Sequence, residues 1–180
     1  MAPSTAALRL SLALAVAAVL CSGASALFSN LAAVCKKADH ADLCYSAAKH
    51  IYKAQPITPA GAAKASILVT LESTKQAKNM ANALRAKSSK GNPAAMAKAN
   101  FNVCQQLYDD AIRNLETSLK ALDTRSHFDL MINLSAVLTD YSTCDDAFTE
   151  EPGLVSPLAK INSQLNMLTK NNLALADALH

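Results

Sequence analysis

The sequence predicts an all-α protein: an up-down-up-down four-helix bundle with an N-terminal α-hairpin and two disulfides. Three observations carry that expectation. Apolar residues recur every third or fourth position over long stretches, prolines fall at helix starts, and four cysteines remain once an export leader is set aside. No strand-like alternation or hairpin turn competes.

Residues 1–26 read as a signal peptide. Arg9 is the lone charge, Leu10 to Leu20 form an apolar run broken only by Ser11, and Ala24-Ser25-Ala26 has the small-x-small form of a cleavage site. The run is too short to span a bilayer. Cleavage removes Cys21 and leaves Leu27 to His180 as one domain with an even cysteine count. No later apolar stretch suits a membrane helix and no retention tail closes the chain, so the expected address is secreted, in the extracellular space.

Residues 27–55 form the expected hairpin. Asn30 to Lys37 and Asp42 to Ala54 read as two short helices broken around Ala38-Asp39-His40. Helices of that length are marginal alone, and a bridge between Cys35 and Cys44 would hold them together. Residues 58–180 form the bundle. Thr58-Pro59, Asn92-Pro93 and Ser156-Pro157 each set an N-cap residue before a proline, whose missing N–H costs nothing at the first helical position. Ser126 with Asp129 resembles a capping box.

An apolar stripe follows each start. It runs Ile67, Leu71, Thr74, Ala77, Ala81, Leu84 in the first bundle helix and Cys104, Leu107, Ala111, Leu115, Ser118, Leu122 in the second. In the third it runs Phe128, Met131, Leu134, Leu138, Tyr141. The fourth has Leu158, Ile161, Leu165, Leu168, Asn172, Leu175, Leu179. Asn172 interrupts the last stripe and is expected to be a hydrogen-bonded polar core residue.

The helix pattern selects the disulfides. With the turn between the second and third bundle helices at Thr124, Cys104 and Cys144 each lie twenty residues from it. Both then sit about 30 Å along adjacent antiparallel helices, abreast of each other. The pairing is therefore Cys35–Cys44 and Cys104–Cys144, contributing roughly 2.7 and 3.9 kcal/mol on the chain-entropy model.

Composition removes several function classes. Without the leader the formal charge is +2, from 16 cations and 14 acids, and the lysines look scattered along the chain. That describes a mixed surface, with neither a nucleic-acid nor a membrane partner. With no Trp and eight Phe and Tyr, the aromatic platforms of a sugar-binding surface are scarce. No nucleophile motif, phosphate loop or metal-ligand spacing is present, so neither an enzyme nor a cofactor is expected. His40, His50, His127 and His180 read as solvated surface residues. A ligand carrier needs a cavity, whereas the alanines on these stripes favour close helix approach.

The eight-residue spacing of Cys35 and Cys44, Tyr-Asp-Asp-Ala-Ile at 108–112, LSAVLTDYSTCDDAF at 134–148 and Asn-Leu-Ala-Leu-Ala at 172–176 resemble the plant invertase/pectin methylesterase inhibitor family. The resemblance covers the whole mature chain. It implies a disulfide-bridged four-helix bundle with a helical hairpin that binds a cell-wall enzyme one-to-one and covers its cleft. The target implied is a pectin methylesterase or an acid invertase. Invertase inhibitors often carry Pro-Lys-Phe early in the third bundle helix, where this chain has Ser126-His127-Phe128. That difference and LSAVLTDYSTC favour the esterase.

The resemblance also implies the interface. Thr143 and Asp146 are expected to make polar contacts with the enzyme, with Asp145 beside them. Gln106 stands where some esterase inhibitors have an acid. Tyr108 and Phe128 read either as interface anchors or as ordinary packing residues. Asn133-Leu134-Ser135 is a glycosylation sequon inside an expected helix.

Overall fold

The computed structural model describes residues 33, 35, 36, 38–51, 58–88, 92–150 and 155–179. The expected signal peptide, most of the first hairpin helix and the 52–57 connection lie outside the described residues. Five helices are described: α1 Ala41–Ile51, α2 Pro59–Lys87, α3 Asn92–Asp123, α4 His127–Thr149 and α5 Ala159–Asp177. Among the described residues there is no strand, and no helix is long and apolar enough to cross a membrane.

Helices α2 to α5 form the four-helix bundle, in which α3 packs on α2 and α4 while α5 packs on α4 and α2. Side-chain pairs between α2 and α3 descend in register: Lys78 with Asp109, Asn82 with Gln105, Arg85 with Asn102. Rising numbers meeting falling numbers make the two helices antiparallel. Helix α1 lies against α2 and α5. The Cys35–Cys44 bridge, with Cα atoms 5.5 Å apart, sits in a small apolar cluster with Ala62, Ala63 and Leu175. Both Asn171 amide atoms hold this segment to α5. Its Oδ1 accepts from the His40 backbone N–H at 2.6 Å and its Nδ2 donates to the His40 carbonyl at 2.8 Å.

Local chemistry sets the helix ends. Thr58 Oγ1 accepts the Gly61 N–H at 3.0 Å, capping α2 ahead of Pro59. Before α5, Ser156 Oγ accepts the Leu158 N–H at 3.2 Å, and the regular helix starts only at Ala159, beyond Pro157. Helix α3 ends in a Schellman motif. Ser126 N–H reaches the Ala121 carbonyl at 2.9 Å, Arg125 N–H reaches that of Leu122 at 3.2 Å, and Arg125 is left-handed at φ 58°. The Ser126 hydroxyl donates to the Asp129 carboxylate at 2.6 Å rather than capping a backbone N–H.

The core holds Ile67, Leu115, Leu134, Val137, Phe148, Leu158 and Leu165. Ala77, Ala81 and Ala111 let the helices approach closely. Truncating a residue such as Leu134 to alanine would cost about 2–5 kcal/mol. Polar residues cross this core in bonded pairs: the Thr74 and Tyr141 hydroxyls are 2.5 Å apart, and Asn172 Nδ2 donates to Thr70 Oγ1 at 2.9 Å, while Asn172 Oδ1 has no partner among the described residues. Asn172 is thus the bonded core residue expected of it.

One stripe differs from expectation. In α4 the inward residues are Leu130, Leu134, Val137, Tyr141, Cys144 and Phe148, while Phe128 is 73% exposed. Position 128 lies roughly 200° around the helix from 130, so the two cannot both face inward. The tight turn at Arg125 sets the angle at which the chain enters α4, and Leu130 takes the core side.

Candidate functional site

The second disulfide organises the candidate face. Cys104 in α3 and Cys144 in α4 are bridged, with Cα atoms 4.7 Å apart and both residues fully buried. Gln106 follows the first cysteine by two positions, and Thr143 and Asp146 flank the second. All three side chains are exposed. The bridge therefore fixes the spacing of these polar groups on the α3–α4 side of the bundle.

Beneath that surface lies a buried polar network. Tyr108 is fully buried, and its hydroxyl donates to Asn162 Oδ1 at 2.6 Å. Asn162 Nδ2 donates in turn to Asp145 Oδ1 at 2.7 Å, and lies 3.3 Å from the Cys144 sulfur. The Ser156 hydroxyl reaches the same Asp145 oxygen at 3.4 Å. The network joins α3, α4 and the start of α5 around the bridge. Burial, with the Asp145 charge nearby, pushes the Tyr108 phenol above its ordinary range, so it stays a neutral donor.

The expected interface residues thus separate. Thr143, Asp146 and Gln106 are each exposed, within two residues of a bridged cysteine. Asp145 is half-buried and turned to Asn162. Tyr108 cannot anchor a partner, because no part of its ring reaches solvent; of its two expected roles, packing is the one observed. It tilts against Tyr141, with ring centroids 6.3 Å apart. Phe128 is exposed but lies fifteen residues before Thr143, about 22 Å away along the α4 axis.

Sequence reasoning missed two members of this region. Ile132 is 51% exposed and lies one turn from Phe128, forming an apolar pair at the base of α4. Asn162 is the centre of the buried network. The signal for Ile132 is compositional: between Arg125 and Lys160 the chain has six acids and no Lys or Arg. With the acids elsewhere on α4, Phe128, Ile132, Ser135, Thr139 and Thr143 form an uncharged exposed row.

The Asp140 carboxyl sits half-buried between α3 and α4, with Asn114 Nδ2 3.3 Å from its Oδ2. Burial pushes its pKa up to about 6, against the opposing effects of Asn114 and Arg113. Asn133 is half-buried and its Nδ2 donates to the Asp129 carbonyl at 2.7 Å, so the folded helix engages the atom a glycan would need. His127 and His40 are half-buried rather than fully solvated. A cavity of about 400 Å³ opens beside the α3–α4 turn, bordered by Ala60, Leu130 and Leu179, at the end of the bundle and not within its core. Among the described residues no His, Cys, Asp and Glu cluster could hold a metal.

Residues 29–175 match the family described as plant invertase/pectin methylesterase inhibitor. The chain belongs to that family. Two relatives, from Platanus acerifolia and Platanus orientalis, each bear the name "Putative invertase inhibitor" and are 34% and 33% identical over 91 residues. Those matches cover 51% of this chain and 50% and 52% of the relatives, so the chain spans about half the length of the curated relatives it matches. The fold resembles the crystal structure of a pectin methylesterase inhibitor from Arabidopsis thaliana. The TM-score is 0.61 at 19% identity, over 84% of this chain and 97% of that one. A mutant form of an Arabidopsis inhibitor aligns with TM-score 0.64 at 17% identity, over 82% and 95% of the two chains. The family is one of inhibitors rather than enzymes.

Proposed function

We propose that this family member is a secreted inhibitor that docks its α3–α4 face on a plant pectin methylesterase and sterically closes the active-site cleft. The observation that carries this reading is the exposed group Thr143, Asp146 and Gln106, set around a buried Cys104–Cys144 bridge. A face held by a disulfide and two antiparallel helices loses little conformational freedom on docking. An interface of about 1,600 Å² in total is enough for a stable one-to-one complex. The Lys- and Arg-free run from Ser126 to Ala159 would give that face a negative potential suited to a basic rim on the enzyme.

An acid invertase of cell wall or vacuole is the second reading, favoured by the names of the two Platanus relatives. Ser126-His127-Phe128 in place of Pro-Lys-Phe speaks against it. The test is to mix the oxidised mature protein with each enzyme and assay both at mildly acidic and neutral pH. Stoichiometric loss of esterase activity alone supports the proposal. Loss of invertase activity alone transfers it to the second target, and full activity of both enzymes overturns inhibition of either class.

A further inference from the structure

Along the chain the lysines look scattered, but the fold gathers several of them. Between Glu72 and Asp109 the sequence has six cations and no acid, and this stretch forms the end of α2 and the start of α3. Four of the six fall along the seam between these helices. Lys78 Nζ meets Asp109 Oδ1 at 2.5 Å, and Arg85 Nη1 donates to Asn102 Oδ1 at 3.3 Å. Asn82 and Gln105 bond to each other between these pairs. Lys75 continues the α2 side of the seam, three residues before Lys78 and seven before Asn82. Lys98 continues the α3 side, four residues before Asn102 and seven before Gln105. Both lysines are exposed. The helical rise places Lys75 and Arg85 about 15 Å apart, and Lys98 about one turn farther on.

The result is a stripe of four cations about the Asn82–Gln105 amide pair, in which Asp109, bonded to Lys78, is the acid among the pairs described. The α4 members of the proposed enzyme-facing group, Thr143 and Asp146, lie across the other flank of α3, where Asn114 meets Asp140, whereas Gln106 borders the stripe, four residues from Asn102 and three from Asp109. Cations alone would suit any polyanion. Amides add donors and acceptors matched to hydroxyl groups, and the combination fits a chain bearing both carboxylates and hydroxyls.

We propose that the α2–α3 seam is a second docking surface, which holds an acidic polysaccharide of uronate units. The choice of a uronate polymer rests on the esterase reading above, because hydrolysis of a methyl-esterified uronate leaves a carboxylate on the polymer. De-esterified stretches are where such an enzyme has already worked. An inhibitor that adheres to them is retained at the enzyme's own substrate while its α3–α4 face stays open.

The test uses the isolated mature protein and no enzyme, so its outcome is independent of whether an esterase is inhibited. Retention is measured on immobilised polygalacturonate, on fully methyl-esterified pectin and on a DNA duplex. Polygalacturonate should retain the protein at low ionic strength and release it as salt passes about 0.15 M, where the screening length falls to about 8 Å. The double variant Lys75→Glu/Lys98→Glu should bind about tenfold or more weakly, whereas Lys160→Glu, on exposed α5 surface, should bind as the parent does. Circular dichroism confirms that each variant is folded. Absence of binding, equal retention on DNA or on esterified pectin, or equal losses in the two variants would overturn the proposal.

Discussion

The Tyr108 phenol and the Asn162 carboxamide are bonded at 2.6 Å inside the bundle, fifty-four positions apart in sequence and beside the Cys104–Cys144 bridge. Asn162 thereby satisfies a buried hydroxyl with one end and the Asp145 carboxylate with the other. Buried polar groups cost most when they lose a partner. Asn162→Ala strands two such groups, and should lower stability by about 2–3 kcal/mol. For a chain of this size that is a fall of roughly 4–12 °C in Tm. Tyr108→Phe removes the hydroxyl and leaves Asn162 Oδ1 unbonded, a smaller loss of about 1–2 kcal/mol. Thermal unfolding of the two variants checks the order.

Neighbouring aspartates should separate function from stability. Asp145 is turned to Asn162 and Ser156, whereas Asp146 is exposed on the proposed docking face. Asp146→Ala should weaken inhibition at least several-fold with Tm unchanged, and Asp145→Ala should lower Tm. A drop in Tm for Asp146→Ala with inhibition intact would remove Asp146 from the interface.

Arg125 holds a left-handed backbone at the end of α3, where glycine is the usual residue. A side chain there costs about 1 kcal/mol. Arg125→Gly should raise Tm by roughly 2–4 °C, and calorimetry of the oxidised protein measures it directly. An unchanged or lower Tm would show that the Arg125 side chain stabilises the turn by at least as much.

Asp140 should make stability depend on pH in a definite direction. Its carboxyl is raised from 3.8 to about 6 in the folded chain. Between those values the folded state binds more protons than the unfolded one, so the Asp140 contribution to stability is present below that window and declines as pH rises through it. Asp140→Asn removes this slope. The Tm of the variant relative to the parent should therefore climb between pH 3.8 and about 6 and level off above. A constant difference would show that Asp140 titrates normally.

Much of this architecture is written in local chemistry. The Thr58 cap, the start of α3 at Asn92 and the turn at Thr124 need only neighbouring residues, and they were legible in the sequence. So was the pairing of Cys104 with Cys144, because helical rise converts equal distances from a turn into adjacency. Phe128 was misplaced on the α4 stripe for a related reason. Periodicity gives a spacing but not its phase, and the phase here comes from the geometry of the preceding turn. The family resemblance supplied Thr143, Asp146 and Gln106 as candidates for the proposed docking face, and all three are exposed. The inward turn of Asp145 was not, since it depends on Asn162 in another helix. Tyr108 could not be resolved between surface and core by spacing alone, because one turn of an amphipathic helix includes both.

The grip of Asn171 on both backbone atoms of His40 spans 131 positions. The earliest part of the domain to leave the ribosome therefore has its seat on the last helix to emerge. Until that helix is complete, the Cys35–Cys44 loop can oxidise and rest on Ala62 and Ala63 of α2, but it lacks its hydrogen-bonded anchor. Loss of α5 would leave the Cys35–Cys44 segment seated on α2 alone, without the two hydrogen bonds that fix its backbone.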